Sequence, residues 1–128
     1  MIETISPALW EETRSLRPIV EQAQAEADSL RRLPDAVARA FVVRDVYRLL
    51  LPQDLGGRGL SPLCVFDLIE EVASYDGSVG WNYAIGSNSG SMAGVMLPDI
   101  SRFAGLGEED KIGCAGTIDG YIRGALAQ

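Results

Sequence analysis

The chain has 128 residues, 47% of them hydrophobic and 23% charged, with 11 basic against 18 acidic side chains and a net charge of -7. That length suits one domain of roughly 100–200 residues, the apolar content excludes a disordered tail, and the acidic balance opposes attraction to nucleic acid or an anionic membrane. There is no histidine, which removes the commonest neutral-pH acid/base, the serine–histidine–aspartate arrangement and most zinc sites, so no metal ligand set is expected.

The first ten residues lack the basic and apolar regions of a signal peptide. Ser6-Pro7 then reads as an N-cap followed by proline at the first helical position. Leu9, Leu16, Val20, Ala23, Ala27 and Leu30 draw one apolar stripe at helical spacing, opposite Glu11, Glu12, Glu21, Gln24 and Asp28. Pro18 is expected to kink this helix or divide it in two.

Pro34-Asp35 opens a second helix to about Arg44, with Val37, Ala40 and Phe41 on one face. The apolar run Val46 to Leu51 is stopped by Pro52, and Gly56-Gly57-Arg58-Gly59 follows. This cluster has two readings, a tight inter-helix turn or a phosphate cradle. It lacks the Lys-Ser/Thr of a P-loop and the order of a dinucleotide-binding loop, which favours the turn. Ser61-Pro62 repeats the helix-start signature, and Phe66, Ile69, Val72 and Ala73 are predicted to bury the next helix. Glu70 and Glu71, about 100° apart, should face solvent instead of acting as an acid/base pair.

Asp76 or Ser78 can cap a fourth helix running to Leu97, before Pro98. Val79 to Leu97 is uncharged over 19 residues, but its asparagines, serines and four glycines oppose membrane insertion and favour a helix buried on two sides. Trp81, Ala84, Ile85, Asn88, Met92 and Val95 share one face, and Gly86, Gly90 and Gly94 the other. A stripe of glycines permits close backbone approach, so Gly90→Leu is expected to overpack it. From Gly105 onward glycines punctuate short apolar pieces, which predicts a loose or strand-like tail. Cys64 and Cys114 form no CxxC pair and read as inert free thiols in a reducing compartment, the cytoplasm.

Three stretches together carry a resemblance. Leu33-Pro34, then Tyr47 to Gly57 with its Pro-x-x-Leu-Gly-Gly turn, then Glu70 to Trp81 with Asp-x-Ser-Val-x-Trp, resemble the N-terminal helical domain of acyl-CoA dehydrogenase-like flavoproteins. The last motif is closest to the branch of flavin-dependent monooxygenases that receive reduced flavin from a partner reductase. The likeness covers roughly residues 16–100 and implies an all-α, up-and-down bundle of about four main helices over residues 1–104. Residues 105–128 form a glycine-rich tail that would begin a middle β domain, with Gly113 to Ile118 similar to its first strand and Asp119 to Gln128 departing from the pattern.

That resemblance further implies FAD or FMN as cofactor, held mainly by middle and C-terminal domains beyond this stretch. The chain alone is therefore expected neither to retain flavin nor to turn over. Its partners would be those missing domains or a second copy, with a flavin reductase serving full-length relatives. No residue here is assigned as catalytic base. Trp81 and Asn88 are the candidate linings of a substrate or flavin pocket, with Ser87 and Ser91 as secondary candidates. The competing account makes Trp81 a core anchor and Asn88 an amide satisfied by a neighbouring helix. A second function class also stands, a non-catalytic helical interaction or self-assembly protein, which exposed apolar patches would favour.

Overall fold

A computed structural model of the chain describes residues 4–89. These residues form helices and turns, in accord with the all-α expectation: α1 (Pro7–Arg14), α2 (Leu16–Leu30), α3 (Asp35–Val43), α4 (Pro62–Ala73) and α5 (residues 77–89, helical through the last described residue). Two single 3₁₀ turns, Val46–Arg48 and Gln53–Leu55, lie between α3 and α4. The predicted glycine-rich tail, Ser91, Gly90, Gly94, Met92, Val95 and Cys114 lie outside the described residues.

Local chemistry accounts for most helix boundaries. The Ser6 hydroxyl accepts from the Leu9 amide at 3.2 Å and Pro7 occupies the first turn, so α1 starts with its amides satisfied. The first predicted helix is indeed divided, at Ser15, three residues before Pro18. A proline has no amide hydrogen, and its ring crowds the carbonyl four residues back, here that of Arg14, the last residue of α1. In the first turn of the new helix the same proline is harmless. Ser61 repeats the cap at α4, accepting from the Cys64 amide at 3.3 Å.

The core is continuous. Leu16 and Val20 of α2, Val37 and Phe41 of α3, Val65, Leu68 and Val72 of α4, and Val79 and Tyr83 of α5 are buried together. The Phe41 and Tyr83 rings meet edge to face at 5.5 Å, a favoured aromatic geometry. Three predicted faces need correction. On α4 the buried residues are Cys64, Val65, Leu68 and Val72, whereas Phe66 is 62% exposed and Ala73, although its Cβ approaches Gly80, remains exposed. On α2 the stripe is fully covered only as far as Ala23, Ala27 is half-buried and Leu30 is exposed.

The third correction concerns α5. The inward face carries Val79, Gly80, Tyr83, Gly86 and Ser87, and Trp81, Ile85 and Asn88 point outward. Residues 81, 85 and 88 do share a face, as their spacing requires, but it is not the face that the described residues cover. The packed side is close. A Cβ built on Gly80 would stand 2.5 Å from Cα and Cβ of Ala73, and one on Gly86 2.5 Å from the Tyr47 ring.

Candidate functional site

The loop from Leu49 to Leu60 closes on itself. The amides of Arg58, Gly59 and Leu60 donate to the carbonyls of Arg48, Leu51 and Leu49, each at 2.9 Å. Gly56 and Gly57 donate to Gln53 and Pro52 at 3.0 Å, and both Gly56 and Gly59 adopt positive φ, at 86° and 62°. Every amide from Gly56 to Gly59 is thus consumed within the loop. A phosphate cradle needs such donors free and convergent, so the turn reading holds and the cradle is excluded. Gly57 is sterically obligatory here, since an added Cβ would fall 1.9 Å from the Leu51 carbonyl oxygen.

The same loop holds an ion pair that spacing alone does not reveal. The Arg58 guanidinium grips Glu12 of α1 with both terminal nitrogens, at 3.0 and 3.2 Å, and reaches Asp45 at 3.9 Å. Such bidentate geometry ties the loop to the first helix with a defined orientation. Arg44 works beside it, donating to the Glu12 carbonyl at 3.2 Å and to the Ser15 hydroxyl at 2.9 Å, where the α1–α2 break leaves acceptors open.

An apolar groove runs between α4 and α5. It encloses about 350 Å³ and is lined by Leu50, Pro62, Val65, Phe66, Ile69, Ala84, Ile85, Ser87 and Asn88. Of the proposed pocket residues, it therefore brings together Asn88 and Ser87. Asn88 lies on the exposed side of the helix and lines the groove. Ser87 is only 1% exposed, and its hydroxyl donates to the Ala84 carbonyl at 3.1 Å. Trp81 is not part of the lining. It lies one turn before Ile85 on the same outward face, 69% exposed, so the core-anchor account of Trp81 fails within the described residues.

Sequence reasoning missed Phe66 and Ile69 as groove walls because it assigned both to the core of α4. The signal was present in the alternative set Cys64, Val65, Leu68 and Val72, which satisfies helical spacing equally well. Of Glu70 and Glu71, both expected to face solvent, only Glu70 does so. Glu71 accepts from the Tyr75 hydroxyl at 2.8 Å and pairs with Arg14 at 3.2 Å. No group of acidic and cysteine side chains that could hold a metal ion occurs among the described residues, and none of their helices is long and apolar enough to cross a membrane.

Comparison with known proteins adds a direction. Over 80 residues the chain is 34% identical to the indole-3-acetate monooxygenase of Pseudomonas putida, a match covering 62% of the chain and 21% of that protein. It is 29% identical over 96 residues to the oxygenase subunit HsaA of a flavin-dependent monooxygenase from Rhodococcus jostii, covering 75% of the chain and 23% of the relative. The corresponding subunit of Mycobacterium tuberculosis is 41% identical over 66 residues, 52% of the chain and 16% of the relative. The chain thus spans about a fifth of the length of the curated relatives it matches. No family model and no solved structure matches it.

These names agree with the monooxygenase side of the resemblance and bring a flavin into question. The groove offers apolar walls against which an aromatic ring could rest. Among the described residues no basic side chain lines it, so these residues offer nothing to pair with a flavin phosphate. Its residues fit one wall of a ring pocket, not a whole flavin nucleotide.

Proposed function

We propose that the chain serves as the N-terminal helical domain of the oxygenase component of a flavin-dependent monooxygenase, within the acyl-CoA dehydrogenase-like superfamily, and contributes one wall of its substrate or flavin pocket. The observation that carries this reading is the open apolar groove between α4 and α5, with Phe66 and Ile85 exposed at its walls. Phe66, Ile69 and Ile85 would exclude water from one side of a bound ring, and the Asn88 amide would orient it through a hydrogen bond. The domain supplies shape and orientation, not a proton-transfer group. Flavin, FAD or FMN, would be held by the remaining domains and delivered reduced by a separate reductase.

The test is a chimera in which the matched 80-residue segment of the Pseudomonas putida relative is replaced by the corresponding residues of this chain. Flavin retention and substrate-dependent oxygen uptake are expected, with Asn88→Ala raising KM without lowering the melting temperature. A folded chimera that retains no flavin and consumes no oxygen would refute the proposal. The exposed Phe66, Trp81 and Ile85 also favour the second reading, a non-catalytic self-associating helical protein. That reading requires an inactive chimera together with a free chain whose self-association is lost in Phe66→Ser/Trp81→Ser.

A further inference from the structure

At the far end of α2 a second cleft of about 410 Å³ is lined by Ala27, Asp28, Arg31, Arg32, Leu33, Pro34, Ser78, Val79 and Asn82. It shares no residue with the groove between α4 and α5. Three features distinguish it from an incidental gap. Its floor is apolar, with Pro34 and Val79 buried and Leu33 partly so. Its rim is polar and cationic. Arg32 is held in place by Asp35 at 2.8 Å, whereas no partner for the Arg31 guanidinium occurs among the described residues.

The backbone at Arg31 is the third feature. This residue ends α2 in the left-handed conformation, φ 52° and ψ 32°, with its amide donating to the Ala27 carbonyl. Glycine is the usual occupant of such a position because it has no Cβ to crowd the carbonyl. An arginine there is strained, and strain of this kind is tolerated where a side chain has a task. On the opposite rim, Asn82 donates through its side-chain nitrogen to the Ser78 carbonyl at 2.9 Å. The Val79 amide and the Ser78 hydroxyl are not part of the site, since both already donate to the Asp76 carboxylate.

We propose that this cleft binds a small organic phosphate, its charge on Arg31 with Arg32 beside it and its apolar body on Leu33, Pro34 and Val79. A planar guanidinium with its donors free matches phosphate oxygens in pairs. Asp28 is the one carboxylate in the lining and opposes the anion. The site therefore selects a ligand with enough apolar surface to offset that repulsion, which inorganic phosphate lacks.

Phenyl phosphate is the probe, with phenol and inorganic phosphate as controls, titrated by calorimetry into the full chain. Phenyl phosphate is expected to saturate and the two controls to bind at least tenfold more weakly. Arg31→Gly then separates the site from the fold, because it should relieve the left-handed strain and raise the melting temperature by a few degrees while weakening phenyl phosphate by about tenfold or more. Arg17→Gln removes the same charge at the other end of α2 and should leave binding unchanged. Asp28→Asn should strengthen it. Wild-type protein that does not saturate, or Arg31→Gly protein that binds as wild type does, overturns the proposal, and neither outcome bears on the groove between α4 and α5.

Discussion

Gly80 and Gly77 sit three residues apart on one helix and have opposite surroundings. A Cβ at Gly80 would meet the backbone of Ala73 at 2.5 Å, and one at Gly77 would meet nothing within 4 Å. Gly80→Ala should therefore force α4 and α5 apart and destabilise the protein by about 1–3 kcal/mol, as overpacking does. Gly77→Ala removes backbone freedom from the unfolded chain and should stabilise it by up to about 1 kcal/mol. Thermal melts of the two variants would shift in opposite directions. A shared direction would show that the close approach of α4 and α5 is not what positions the groove.

At the level of elements, α5 depends on its cap more than on its propensity. It carries Gly77, Gly80 and Gly86, each unfavourable in a helix, and it begins on the Asp76 carboxylate, which accepts from the Val79 amide at 2.9 Å and from Ser78 at 2.6 Å. Those bonds, with that from the Ser78 hydroxyl the largest influence, hold the Asp76 carboxyl below the usual carboxylate range. Its stabilisation is therefore present above the unfolded pKa and lost as pH falls through the lower folded value. Asp76→Ala should cost about 0.5–2 kcal/mol at neutral pH. Denaturant unfolding should show the gap between variant and wild type narrowing in acid. A gap independent of pH would mean that the cap bonds are not made to the charged carboxylate.

For the molecule as a whole, buried tyrosines are expected to set the alkaline limit of stability. Burial pushes the Tyr47 hydroxyl up to about 12, and burial together with the Glu71 carboxylate pushes Tyr75 to about 12. Burial raises Tyr83 further still. An unfolded tyrosine ionises near pH ~10, so each contributes stability that is complete below that pH and lost as pH rises through the folded value. The free energy of unfolding should stay flat to about pH 10 and fall between roughly 10 and 12. Tyrosinate absorbance should rise together with loss of helical circular dichroism. Native protein with three fully ionised tyrosines at pH 11 would contradict this packing.

The caps at Ser6 and Ser61, the choice of Asp76 or Ser78 as the cap of α5, a kink or division of the first helix near Pro18, and the Gly56–Gly59 turn were legible in the chain because each depends on bonds between residues a few positions apart. So was the sharing of a face by Trp81, Ile85 and Asn88, which follows from a period of 3.6 residues alone. Which face would be covered was not legible. On α4 the sets 64, 65, 68, 72 and 66, 69, 72, 73 fit that period equally well, and only contacts with α1 and α5 select the first. The same tertiary selection turns Trp81 outward, makes Phe66 a groove wall and joins Arg58 to Glu12 across 46 residues. Periodicity determines the angles between side chains on one helix, whereas the direction of the core is a property of several helices at once.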